Sequence, residues 1–221
     1  MSENQKAKQA RVLKDSFREM MKDANTSIPG HVKAFDPATQ LAQIQIGIER
    51  TDLNGAITAP ATIIEVPVHF PGDDWCVEYQ IDPGCEGLIH FSQRCIDGWL
   101  QSGGVAPNPI ARFHDKQDAF FVPGFRPLSD VLPAFQNNGI RLRNKAGTQF
   151  AWLKNDNSIV VENGAGHIRL GADGIVTING VTFTPAGLVT TAADVVAAGI
   201  SLTTHVHSGV QSGLSNTGGP V

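Results

Sequence analysis

The residues with the clearest capacity for chemistry are two histidines, His205 and His207, in the run Thr204-His205-Val206-His207-Ser208-Gly209. In an extended strand, side chains two positions apart leave the same face. Both imidazoles therefore point one way while Val206 points the other. Imidazole is a common ligand of first-row metal ions, but two ligands do not complete a shell: tetrahedral zinc takes four and octahedral ions take six. Apart from this pair, no His, Cys or acidic residue follows Asp194, so further ligands must come from distant sequence or from copies of the same chain. A three-fold axis would turn two histidines into six, an octahedral nitrogen cage suited to iron, nickel or a similar ion. Without such partners the pair is only a polar strand end.

The segment that must position this pair is punctuated by turn formers. They recur after Pro133 at Asn137-Asn138-Gly139, Asn144-Lys145-Ala146-Gly147, Asn155-Asp156-Asn157, Asn163-Gly164-Ala165-Gly166, Gly171-Ala172-Asp173-Gly174, Asn179-Gly180 and Pro185-Ala186-Gly187. Between them lie short alternating pieces: Ile140/Leu142, Phe150/Trp152, Ile159/Val161, Ile168/Leu170, Ile175/Thr177, Val181/Phe183 and Leu188/Thr190. Each can fill one face only. A single chain of such small strands has little to bury that face against, whereas strands stacked around a common axis supply their own cover. The irregular lengths and the lack of a consensus repeat favour an intertwined trimer, a triple-stranded β-helix. At about 4.7 Å per stacked strand, its shaft would be on the order of 40 Å long, closed at the end by the histidines and a glycine-rich tail.

Upstream, the periodicity changes twice. Ser2 to Ala24 reads as a helix with one narrow apolar stripe, Leu13, Phe17, Met20, Met21 and Ala24, which suits docking on its own domain or a sister subunit. From His31 the period is two. Val32 and Ala34 pair with Leu41, Ile44, Ile46 and Ile48 across an Asp36-Pro37 turn, and Ile64, Val66 and Val68 share a face in the next piece. Trp75 to Tyr79 and Gly87 to Phe91 then read as further strands around Asp82-Pro83-Gly84. Short strands at this spacing point to a small barrel, with a five-stranded OB-like fold as the natural candidate. His114, Asp115 and Asp118, in Arg112-Phe113-His114-Asp115-Lys116-Gln117-Asp118-Ala119-Phe120, have no adjacent nucleophile or oxyanion donor. They read as a polar loop that docks its aromatic end onto a neighbour.

The fold class is thus all-β: an OB-like barrel followed by an intertwined triple-stranded β-helix, with a short N-terminal helix. The expected domains are residues 1–29 (helix), 30–133 (barrel collar), 134–204 (shaft) and 205–221 (metal-bound apex). The chain of 221 residues carries a net charge of -4 with pI near 5.9, which argues against nucleic acid as a partner. Cys76, Cys85 and Cys95 are an odd number without a Cys-x-x-Cys pair, as expected of free thiols in a chain made in a reducing cytoplasm. The first residues lack the apolar core of a secretion signal, and no run approaches the length of a membrane span.

The order of these parts, ending in Thr-His-Val-His-Ser-Gly-Val-Gln-Ser-Gly and Asn-Thr-Gly-Gly-Pro, resembles the central baseplate spike proteins of contractile-tailed bacteriophages over about Gly30 to Val221. That resemblance implies a homotrimer at the virion tail tip whose collar attaches to the baseplate hub. It implies an apex in which His205 and His207 of three chains hold one octahedral iron ion through six histidine nitrogens. It further implies mechanical piercing of the host outer membrane on sheath contraction, with no catalytic residues, no enzyme activity and no small-molecule substrate. Two other readings exist. A metal-dependent hydrolase would use His205 and His207 with His167 or His114, plus an open water position and a base. A receptor-binding tail tip would need late aromatic residues, and after Trp152 only Phe183 is aromatic.

Overall fold

The computed structural model describes residues 3–51, 54–209 and 213. The protein is mostly β and divides into two compact units, Met1–Val131 and Leu132–Val221.

The first unit opens with helix α1 (Glu3–Asp23), whose stripe residues Leu13, Phe17, Met20 and Met21 are exposed. Beyond it, Asn25 Nδ2 donates to the His114 carbonyl at 2.7 Å and His114 Nδ1 meets the Asn25 carbonyl at 3.0 Å. Strand β1 (Ser27–Asp36) turns back into β2 (Leu41–Ile46) through a corner closed by Asp36. Its carboxylate accepts from the Ala38 N–H and the Thr39 hydroxyl, both at 2.9 Å. A small ribbon of β3 (Arg50–Thr51) and β4 (Ile57–Thr58) precedes β5 (Thr62–Pro67). Then follow β6 (Glu86–Phe91), a single-turn helix α2 (Asp97–Ser102) and β7 (Ala119–Pro123).

The main sheet has the order β5-β2-β1-β6-β7, antiparallel throughout. Its two edges meet, because Val68 just past β5 forms a parallel bridge to Phe121 on β7 and the His69 N–H donates to the Phe121 carbonyl at 2.9 Å. The sheet is therefore curled into the expected OB-like barrel. Inside it lie Val32, Ala42, Ile44, Ile63, Val66, Ile89 and a fully buried Phe121. Two glycines facing each other across β1 and β6 make room for this core. A Cβ on Gly87 would lie 2.4 Å from Phe121 Cζ, and one on Gly30 would lie 2.6 Å from Ile89 Cδ1.

Two expectations for this unit are corrected. The inward residues of β5 are Ile63 and Val66, with Ile64 pointing out. The register with β2 slips there and Glu65 adopts φ +55°; the bulge shifts the alternation by one residue. Trp75 to Tyr79 does not form a strand but part of a hydrogen-bonded loop.

The second unit is a seven-stranded antiparallel meander: β8 (Gly139–Arg143), β9 (Phe150–Lys154), β10 (Ile159–Glu162), β11 (His167–Leu170), β12 (Val176–Ile178), β13 (Val181–Phe183) and β14 (Val189–Thr190). A further ribbon joins β15 (Val196–Ala197) and β16 (Ile200–Ser201). The register gives the sheet one wholly apolar face, while Val160 joins Trp152 and Arg169 on the other. Directly opposed residues share a face, and the pairings link Ile140 and Leu142 to Leu153 and Ala151, then to Ile159 and Val161. The same face continues through Leu170 and Ile168, Val176 and Ile178, Phe183 and Val181, and ends at Val189. Every member is apolar. The opposite face carries Arg141, Phe150, Trp152, Lys154, Glu162, His167, Arg169 and a row of threonines, with the Arg141 guanidinium 3.7 Å from the Phe150 ring centre.

This register corrects three of the sequence pairs. Ala151/Leu153, Val176/Ile178 and Val189 lie on the apolar face, while Phe150/Trp152, Thr177 and Thr190 lie on the other. Turn geometry sets the phase: Asp156 accepts from the Ser158 hydroxyl (2.6 Å) and N–H (2.9 Å) and pairs with Lys154, and these contacts, the Ser158 bonds first, hold its carboxyl at about 2. Among the described residues of this unit only Ser158 is buried; Ile140 on the apolar face is 71% exposed and Ile168 50%.

The two units thus differ in kind, one with a private core and one without. Replacing Phe121 by Ala is expected to lower the unfolding free energy of the barrel by about 3–5 kcal/mol, measured by chemical denaturation.

Candidate functional site

His205 and His207 follow the β15–β16 ribbon, and one residue organises the approach to them. The Ser201 hydroxyl accepts from the Thr204 N–H at 2.9 Å and from the Thr204 hydroxyl at 2.7 Å, and lies 3.3 Å from the Thr203 hydroxyl. Asp194 closes the same turn by accepting from the Thr203 N–H at 3.1 Å. The Ser201 hydroxyl, first, and the Thr203 contacts hold the Asp194 carboxyl below the usual carboxylate range. The Ser201 carbonyl in turn receives the His205 N–H at 3.2 Å and stands 2.7 Å from His205 Nδ1. A carbonyl only accepts. Nδ1 therefore carries a proton, and Nε2 is the ring atom that could bind a metal.

The two imidazoles are exposed neighbours with ring centres 5.1 Å apart, inclined at 77°. The carbonyl bond to Nδ1 is the kind of support that metal-bound histidines usually have. The residues present fit a metal ion but supply only part of its shell. Among the described residues no third His, Cys, Asp or Glu clusters with them at ligand distance. Neither His167 nor His114 joins the pair in such a cluster. His167 sits on β11 opposite Glu162, and His114 is tied to Asn25. Ser201 and Asp194 have no sequence signature, because a hydroxyl three residues before Thr204-His205 carries no distinctive spacing.

The remaining cluster of ligating side chains, Cys95, Asp97 and Asp118 in the first unit, already holds a cation. Arg112 Nη2 lies 2.8 Å from Asp118 Oδ1, 2.8 Å from Asp97 Oδ1 and 3.2 Å from Cys95 Sγ, and Arg112 Nε is 3.0 Å from Asp118 Oδ2. The buried Asp118 also accepts the Ile96 N–H at 3.0 Å. Arg112, first, and then that N–H keep the Asp118 carboxyl below its usual range. The run from Arg112 to Asp118 is a loop, as expected, and it is anchored within its own unit. Its first residue fastens its last acid, and its end enters β7 of the barrel.

Residues 28–124 match the model of the phage protein Gp138 N-terminal domain, and residues 199–221 match that of the GpV apex motif. The first match spans the barrel strands β1 to β7, and the second includes His205 and His207. Among the described residues no helix is long and apolar enough to cross a membrane. Comparison with curated proteins gives no significant match.

The Arg112 clasp gives a test of the barrel. Asp118→Ala leaves a mostly buried guanidinium short of its main partner and is expected to cost about 3–5 kcal/mol. In the unaltered protein, a carboxyl whose folded value lies below its unfolded one stabilises fully above the unfolded value. Stability is therefore expected to fall as pH drops below about 4, and Asp118→Asn should flatten that part of the pH–stability curve.

Proposed function

We propose that this chain, a phage baseplate spike component of the virion tail tip, acts as a homotrimer that attaches to the baseplate hub and mechanically pierces the host outer membrane. The observation that carries the reading is the unbroken apolar face of the β8–β14 meander. A half-exposed Val, Ile or Leu still has on the order of 1 kcal/mol to gain from burial. A face of these residues therefore leaves on the order of 10 kcal/mol per chain unclaimed, as much as a whole domain's net stability. Three copies turned inward around one axis claim it, and the polar face with its threonines, Arg169 and Lys154 then meets solvent.

The same axis brings three His205–His207 pairs together. Six imidazoles, each His205 ring oriented by the Ser201 carbonyl, would hold one iron ion with no position left for water. Such a centre supplies cross-linking instead of turnover, and its ligands would keep three chain ends from fraying. The two phage spike modules support this reading, since the apex motif covers the histidines and the Gp138 N-terminal domain covers the barrel expected to meet the hub. Piercing needs rigidity at a narrow point, which an intertwined core and a metal clamp both give.

The purified protein is expected to sediment as a trimer resistant to SDS and to contain one iron per three chains by elemental analysis. His205→Ala/His207→Ala should abolish the metal while leaving the trimer assembled. Ser201→Ala removes the hydroxyl that shapes the turn and should weaken metal retention against a chelator by about tenfold. Metal-free trimers of the unaltered protein would refute the apex, and monomers would refute the whole reading.

A further inference from the structure

Two apolar surfaces of the first unit are exposed among the described residues, and their charges are opposite. One is the loop Pro71-Gly72-Asp73-Asp74-Trp75-Cys76-Val77-Glu78-Tyr79 between β5 and β6. It is built, not slack: Gly72 bridges Cys76, the Val77 N–H donates to the Pro71 carbonyl at 2.9 Å, and the Asp73 N–H donates to the Trp75 carbonyl at 3.2 Å. Gly72 has φ +124°, and a Cβ there would lie 2.0 Å from the Trp75 carbonyl oxygen. The base is pinned by the Tyr79 hydroxyl donating to the His69 carbonyl and by the Phe70 and Tyr79 rings 5.0 Å apart. On this frame Trp75 is 92% exposed, flanked by Asp73, Asp74 and Glu78 and by no Lys or Arg. Tryptophan is among the residues enriched as interface anchors.

The other surface is the α1 stripe of Leu13, Phe17, Met20 and Met21, also exposed. At 100° per residue, Lys14 and Arg18 lie along one border of that stripe, with Arg18 4.0 Å from Asp15. A helix with one narrow stripe gains most of its stability from packing it. Within one chain α1 leaves Trp75 open, so neither surface covers the other.

We propose that the Trp75 loop of each protomer receives the α1 stripe of a second copy of the chain. The indole would pack on Phe17 and Met20, where sulfur and ring edges interact favourably, and Lys14 and Arg18 would face Asp73, Asp74 and Glu78. The contact is heterologous, helix to loop, and a three-fold axis closes it into a ring with every helix and every loop occupied. This inference rests on the trimeric reading and adds to it a second lock, at the collar.

Cys76, an exposed free thiol next to Trp75, makes the test direct. Leu13→Cys, Phe17→Cys and Met20→Cys are introduced singly into the full chain, oxidised with copper phenanthroline, boiled in SDS and urea until the unoxidised sample runs as monomer, and run on non-reducing gels, while sedimentation reads the native assembly. A disulfide needs Cα atoms within about 7 Å, so at least one stripe position should convert most of the protein to covalent trimer. Asp15→Cys, on the opposite face, and Phe17→Cys/Cys76→Ser should not. Adding Trp75→Ala to the linking variant should slow cross-linking by about tenfold or more. A native trimer with no interchain link from any stripe position, or with links only within one chain, overturns this contact alone. A native monomer overturns both it and the trimeric reading.

Discussion

A one-layer sheet with one wholly apolar face is not a finished structure, and this constraint governs the second half of the chain. The barrel of the first unit closes on itself, so that Phe121, Ile44 and Ile89 lose nearly all contact with water. The meander has no such closure. Its strands are three to five residues long before tapering to two at β14, too short to fold over and too uniform in sidedness to bury half against half. The described strands of the meander do not cover that face themselves, and in the proposed trimer copies of the same sheet supply a surface of the same length, pitch and chemistry.

The supporting details are consistent with this division. In the barrel, glycines at 30 and 87 concede space to Phe121 and Ile89, and the Arg112 clasp ties α2 to the start of β7. In the meander, side chains instead fix the turns: Asp156 on Ser158, Asn163 on the Ala165 and Gly166 N–H groups, Asp173 on the Ile175 N–H. Rigid turns set the register, and register decides which face each residue joins. The same economy reaches the histidines, where Asp194 and Ser201 shape one more turn and the Ser201 carbonyl chooses the tautomer of His205.

Much of this was legible in the sequence. The change of period at His31, the Asp36-Pro37 corner and the Asn/Gly punctuation after Pro133 located the helix, the barrel and the meander, because each reflects local backbone chemistry. Phase within a strand was less legible. Phe150/Trp152 looked like a core pair, yet β8 opposes Leu153 and Ala151 to Ile140 and Leu142, and Arg141 stacks over the aromatic rings on the other side. The bulge at Glu65 and the loop carrying Trp75 were hidden for the same reason: a one-residue slip leaves composition unchanged while moving every later side chain. The His205–His207 pair was visible at once, while its supports, a hydroxyl and a carbonyl at Ser201, have no sequence signature.

If the apolar face of the meander joins copies of the chain, adjacent residues of β11 must behave oppositely when charged. Ile168 points into that face and Arg169 into the opposite one. Sedimentation velocity of Ile168→Asp and Arg169→Asp should show assembly abolished in the first and the trimer retained in the second. If Ile168→Asp assembles as well as Arg169→Asp, the face does not join the copies.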